Sequence, residues 1–341
     1  DRWRGGDIPA TRSERARRLF SGLEPRLLEE LSQALSPDEA IAHFDRFLSG
    51  LPAGVQVFSL FAANPELLSL IVRIVAASPR LAEHLGREPQ ALDALITGDF
   101  FTPSPGADTL MAEIKRWIAA EEDYERKLDA ARRWARELRF RAGVQVLNGT
   151  AGRVEAAAAF SSIAEAALRA LLPEVVAEFS RRHGPPPGRG MTVIALGKLG
   201  THEMTAGSDL DLITVYDAAG AEASEGRRPL APSTYFPRLT QALVAALTAP
   251  TAEGRLYEVD MRLRPSGRQG PVAVSLESFR CYQEEAAWVW EHLALTRARV
   301  VAGSEALGAD VAAVMARALA RRKGDPAVLG DAREMRRRRL A

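Results

Sequence analysis

Asp209 and Asp211 are two carboxylates one residue apart at the head of an apolar, β-prone run, Leu210 to Tyr216. Side chains alternate along a strand, so the two carboxylates face the same way, with Cα atoms about 7 Å apart. Such a pair can grip one divalent ion. Upstream, Gly197-Lys198-Leu199-Gly200 follows a second β-prone run, Met191 to Leu196. A glycine-bearing turn of this kind, Gly197 to Gly200, offers backbone N–H groups that approach phosphate closely, and Lys198 and Ser208 add a positive charge and a hydroxyl. A third carboxylate, Asp260, sits in Arg255 to Arg264, where Leu256, Glu258, Asp260, Arg262 and Arg264 alternate with Tyr257, Val259, Met261 and Leu263. That pattern predicts a strand with one apolar face and one chemically loaded face. Magnesium takes hard oxygen ligands and keeps several waters, so two or three aspartates plus substrate phosphates complete its shell. Two such ions about 3.5 to 4 Å apart would activate an attacking oxygen and steady a leaving pyrophosphate. The set points to nucleotidyl transfer.

Other phosphate sites fail on spacing. A P-loop needs its lysine after a second glycine and before a serine or threonine, and Gly197-Lys198-Leu199-Gly200 places it too early. A dinucleotide fingerprint opening a helix is absent. The bland alternative for the aspartates is ion pairing with Arg262 and Arg264, against which stands the cost of gathering like charges on one face without a cation.

The elements that must position these residues are read from periodicity and punctuation. From residue 11 to about 98 short helices recur behind start signals: Thr11 with Glu14, Ser36-Pro37-Asp38-Glu39, Asn64-Pro65-Glu66 and Ser78-Pro79. Leu67, Leu68, Ile71, Val72 and Val75 mark a buried helical face. Thr102-Pro103-Ser104-Pro105-Gly106 is a boundary. Long helical stretches are expected over 109–147 and 153–182, broken at Asn148-Gly149. The arginines at 132, 133, 136, 139 and 141, interspersed with Glu122, Glu125 and Glu137, are expected to form a solvated, ion-paired face rather than a phosphate stripe. Gly184 to Gly190 stops the second helix. Beyond the two strands a helix is expected over 235–247, another from Ser275 through Trp288 and His292 to about Gly303, and a last one over 305–322. Trp288 and Trp290 are expected as packing anchors with at most one partly exposed, and Cys281 as a buried, inert thiol. The five histidines show no metal-ligand spacing.

The chain has 341 residues, enough for two or three packed units. Lysine plus arginine (45) nearly equals aspartate plus glutamate (44), so bulk charge gives no reason to expect nucleic acid or a membrane surface. A single cysteine suits a reducing cytoplasm, and no run of 18 apolar residues is present. Asp1 at the start and the Arg336 to Arg339 run near the end give the expectation of a piece of something longer.

Four phrases together, GKLG, SDLDL, YEVDMRLRP with G-x-x-G (257–270) and WEHLALTRARVVAG (290–303), resemble the glutamine synthetase adenylyltransferase family, within the DNA polymerase β-like nucleotidyltransferases. The resemblance implies an α+β fold: a nucleotidyltransferase core with a small mixed sheet, preceded and followed by helical domains. The corresponding division is a helical domain at 1–105, long helices at 106–190, a sheet core at 191–273 and a helical region at 274–341. The wording of the last two phrases resembles the carboxyl-terminal, AMP-adding half of that enzyme. The resemblance also implies metal ligation by Asp209 and Asp211, with Asp260 as third carboxylate and base. Gly197, Lys198, Gly200 and Ser208 would hold the nucleotide, and Arg262 and Arg264 the triphosphate charge. Arg297 and Arg299 are read as able to neutralise triphosphate charge or orient the protein substrate, and as at least equally suited to packing or to pairing with Glu291. ATP would be the substrate, Mg2+ the cofactor, glutamine synthetase the protein acted upon and the PII signal protein a regulator. Two alternatives remain open, the phosphorolytic half and a docking module with little catalysis. Thr201-His202 departs from the family's usual small residues after GKLG and leaves the shape of that turn open.

Overall fold

The computed structural model describes residues 2–87, 92, 95, 102–324, 328–333 and 337. Arg336, Arg338 and Arg339 of the terminal run, and parts of the helical stretch expected beyond residue 87, lie outside them.

The chain divides into two compact units, Asp1–Ser104 with Phe140–Ala156, and Pro105–Arg139 with Ala157–Ala341. Among the described residues the regular structure of the first is all helical. Its helices Glu14–Ser32, Pro37–Gly50, Val55–Ala63, Pro65–Ala77 and Pro79–Arg87 surround a core that includes Phe20, Phe44, Phe47, Phe58, Ile71 and Val144. The start signals act as the chemistry of a helix terminus requires: proline occupies the first turn after Ser36 and Asn64, where its missing N–H costs nothing. The first cap differs from expectation. Ser13, not Thr11, caps Glu14–Ser32, its hydroxyl accepting from Ala16 N–H at 3.1 Å.

The second unit is α+β. Its mixed sheet has five strands, β1 (Gly190–Ala195), β2 (Leu210–Asp217), β3 (Val259–Asp260), β4 (Ala273–Ser275) and β5 (Arg299–Gly303). β1 is central, antiparallel to β2 on one side and to β5 on the other, while β3 and β4 lie parallel to β2 at successive positions along its outer edge. Ile194, Ile213, Val215 and Val274 pack with Leu307, Val311 and Val314 of the helix Glu305–Arg321. On β2's other face Thr214 bonds Thr240 of the helix Pro232–Thr248 at 3.0 Å. Both faces being covered, β1 and β2 read as apolar runs rather than alternations.

Three expectations change here. The 255–264 strand is only two residues long. Leu256 and Tyr257, expected on opposite faces, are both buried and both donate their N–H to Leu247 O, so the chain turns there before pairing. The helix expected to run from 275 to 303 is instead Leu276–Cys281, a π-helical turn Tyr282–Ala286, a break at Ala287, Val289–Leu295, and then β5; Val300 and Val301 suit a strand better than a helix end. The break turns Trp288 and Trp290 outward, 69% and 40% exposed, so neither is a packing anchor. Cys281, expected buried, is only half-buried, and its bond to Glu277 and its partial burial hold the thiol up, toward the neutral form.

Among the described residues one helix, Arg153–His183, is long and apolar enough to cross a membrane, but 72% of its apolar 18-residue stretch is buried inside the protein, as in a core helix.

Candidate active site

β1 and β2 run side by side so that the turn leaving β1 lies against the head of β2, where Leu196 N–H donates to Asp211 O at 2.9 Å. The parallel register of β3 on β2 sets Leu210 beside Val259 and Asp211 beside Asp260. Asp209, just before β2, completes a group in which one carboxylate oxygen from each residue lies within 4.8 Å of the others. Two strand ends thus bring together residues distant in the chain.

Burial pushes the Asp211 carboxyl up, and the charges of Asp209 and Asp260 push it further. The hydrogen bond from Arg262 holds Asp260 down instead: Arg262 Nε donates to Asp260 Oδ2 at 2.7 Å and its N–H to Oδ1 at 2.8 Å. Arg262 is 65% exposed in its side chain, so this partner can be exchanged for another anion. A cluster of hard oxygens, with one carboxyl raised by its like-charged neighbours, fits a divalent cation such as Mg2+.

The turn takes its form from its glycines. Gly197 has φ +55°, and a Cβ there would stand 2.2 Å from Asp211 Oδ2; only glycine lets the carboxylate lie against the turn. Gly200 is needed for a different approach, since a Cβ would lie 1.8 Å from Arg297 O. Its N–H is committed to Leu196 O at 3.0 Å, so its part is steric rather than a phosphate contact. Lys198 is exposed, and no described residue pairs with its ammonium. Ser208 closes the 205–208 turn, its hydroxyl accepting from Thr205 N–H at 2.9 Å.

Thr201 and His202 are accommodated. Thr201 Oγ1 donates to Gly197 O at 3.2 Å, and His202 takes φ +57°, the left-handed region that a glycine would occupy without strain. Arg297 braces the same turn through Glu203 (3.1 Å) and Thr201 Oγ1 (3.3 Å).

Other arginines stand elsewhere than the sequence suggested. Arg264 does not face the carboxylates; its fork is taken up by the carbonyls of Met261, Arg268 and Gly270, which staples the turn after β3. Arg299 pairs with Glu165 at 2.7 Å, while Glu291 accepts from the Tyr282 hydroxyl and from Trp288 N–H, so neither Arg297 nor Arg299 meets Glu291. The arginine series on the helix Tyr124–Leu147 is not a solvated face. Arg132 is 1% exposed and donates to Ala246 O and Ala249 O; Arg133 and Arg136 meet Glu253; and Arg139 donates to Leu256 O. The signal was present in the sequence: positions 132, 136 and 139 share one helical face.

An α+β unit with a small mixed sheet, an aspartate pair at one strand head and a third aspartate on the adjoining strand defines a nucleotidyltransferase core. The family model described as Glutamate-ammonia ligase adenylyltransferase matches residues 68–314, and the chain belongs to that family. It is 47% identical over 335 residues to the "Bifunctional glutamine synthetase adenylyltransferase/adenylyl-removing enzyme" of Brucella suis biovar 1 (strain 1330), covering 98% of this chain and 34% of that one. The proteins of the same name from Mesorhizobium japonicum and Caulobacter vibrioides are 44% and 45% identical, covering 98% of this chain and 34% and 33% of theirs. The chain therefore spans about a third of the length of these curated relatives.

Proposed function

We propose that this chain transfers AMP from ATP to a tyrosine hydroxyl of glutamine synthetase, releasing pyrophosphate, as the adenylylating part of a longer enzyme. The observation that carries the reading is the meeting of Asp209, Asp211 and Asp260 within 4.8 Å beside the Gly197 turn. The family supports adenylyl transfer, and the wording of residues 257–270 and 290–303 favours the adding part over the removing part.

The three aspartates would hold Mg2+. When bound, a pair of such ions supplies positive charge to the reacting phosphate and to the leaving pyrophosphate. The chain's own residues do the positioning. The N–H groups at Gly197 and Lys198, the Lys198 ammonium and the Ser208 hydroxyl face the nucleotide phosphates. Arg262 turns from Asp260 to a phosphate oxygen, which frees the carboxylate it had held down. The tyrosine oxygen then bonds to the α-phosphorus in line with the breaking bond to the bridging oxygen of pyrophosphate. Its proton passes to Asp260, an acceptor the reaction needs because a free phenol has a pKa near 10. Most of the rate comes from positioning and charge neutralisation, as in phosphoryl transfer generally. With this reading go a cytoplasmic location, the PII signal protein as a regulator of the longer enzyme, and no part for nucleic acid or membrane.

The test is incubation with Mg-ATP and unmodified glutamine synthetase, followed by intact-mass measurement. One AMP per modified subunit is expected, and Asp209→Asn should abolish it while leaving thermal unfolding nearly unchanged. Full activity in that variant sinks the metal assignment. Phosphate-dependent ADP release from adenylylated glutamine synthetase, without AMP addition, would assign the chain to the removing reaction.

A further inference from the structure

β3 presents a problem of register. It pairs with β2 over two residues only, and its upstream link is a single bond, Leu210 N–H to Glu258 O at 2.9 Å. A slip of one residue in so short a pairing would turn Asp260 to the opposite face and replace it with a neighbour that cannot ligate. Something outside the sheet must fix where the chain enters β3. We infer that Arg136 and Arg139, on the helix Tyr124–Leu147, are positioning residues that set Asp260 against Asp211. This rests on the three-aspartate reading above.

The geometry is a two-point clamp on residues 253–257. Arg136 donates to the Glu253 carboxylate at 2.8 Å and to the Glu253 carbonyl at 3.1 Å, so it holds side chain and main chain at once. Three residues on, Arg139 donates to Leu256 O at 2.9 Å and lays its guanidinium 4.7 Å above the Tyr257 ring. Tyr257 is wedged in the interior with its hydroxyl unpartnered. Its seat is therefore set by the ring, by Arg139 and by the bond from its N–H to Leu247 O. One helical turn separates the two arginines, and the carbonyls they hold lie three residues apart, so a rigid helix imposes the spacing on an irregular segment. Asp260 follows three residues after Tyr257. Lysine can serve either position only in part, because each guanidinium addresses two partners in different directions from one planar fork and a single ammonium cannot reproduce that geometry.

The test uses Mn2+ as probe and the amide of Leu210 as witness. In Arg139→Met, hydrogen exchange at Leu210 should quicken about tenfold or more while Val193 in β1 stays protected, and Mn2+ affinity measured by titration calorimetry should fall by about tenfold or more. Lys127→Met removes an ion pair of similar length to Glu174 from the same helix and should leave both readouts within about twofold of the parent. Arg139→Lys should restore part of the Leu210 protection. If Arg139→Met fails to fold, Glu253→Gln keeps the side chain's shape, gives up its charge and carries the same two readouts. Unchanged Leu210 exchange in these variants overturns the inference. Asp260→Asn separates the two claims: wild-type Mn2+ affinity in that variant refutes the three-aspartate site, and the Leu210 exchange still decides the clamp.

Discussion

At the scale of single residues the site depends as much on an absent side chain as on the charged ones. Gly197 has a left-handed backbone, and a methyl group there would overlap Asp211 Oδ2. Gly197→Ala should therefore cost about 1–2 kcal/mol in urea unfolding from the backbone alone. It should also reduce AMP transfer by at least tenfold, a loss of about 1.4 kcal/mol or more in transition-state stabilisation, through the displaced carboxylate. Normal transfer in Gly197→Ala would show that Asp211 can move without consequence. Much of this residue-level detail was legible beforehand. The Asp-x-Asp spacing on a strand dictates a shared face, and the glycines mark where backbone must come close. What was not legible is each arginine's partner. Arg262 and Arg264 are two residues apart with the same chemistry, yet one holds Asp260 and the other staples three carbonyls. That difference arises from the turn after β3, which periodicity cannot reveal because the sequence goes on alternating to Arg264 although the strand ends at Asp260.

Among the elements, the helix Tyr124–Leu147 departs most from its sequence pattern. Mixed arginines and glutamates on a helix ordinarily mean a solvated face, but its arginines reach a segment more than a hundred residues later, a pairing no local pattern contains. The clamp has a pH signature. Burial pushes the Glu253 carboxyl up, yet the bonds and charges of Arg136 and Arg133 outweigh it and hold the group below its usual range. A carboxyl lowered in the folded state adds stability that is full above its unfolded value of about 4.3 and is lost as pH falls through the folded value. The stability difference between the parent and Glu253→Gln should therefore be largest near neutrality and shrink below about pH 4.3, which urea titrations at several pH values will read. A difference that grows on acidification would contradict the assignment. β1 and β2 were readable because both faces are buried and their apolar runs are continuous. β5 was missed because only Thr296, Arg297 and Ala298 separate its Arg299-Val300-Val301 stretch from the helix end at Leu295, with no glycine or proline among them.

For the molecule as a whole, the Pro/Gly segment at 102–106 lies where the chain passes from the first unit to the second, but the second passage, at residue 140, falls inside a continuous helix and has no mark in composition. The two-residue pairing of β3 with β2 has a kinetic consequence. Asp209 and Asp211 are neighbours in any conformation, whereas Asp260 joins them only after the intervening chain has closed a parallel pairing. Closing such a long loop costs entropy before the contact gives anything back. The complete three-carboxylate site is then a property of the native state and of little that precedes it. A ligand that recognises only the native state stabilises by about 2.7 kcal/mol at a hundred times its dissociation constant. Because the closure comes late, that stabilisation belongs almost wholly to one limb of the folding reaction. Stopped-flow measurements with Mn2+ should show refolding at an unchanged rate and unfolding slowed in proportion to occupancy, and Asp260→Asn should make both limbs indifferent to the ion.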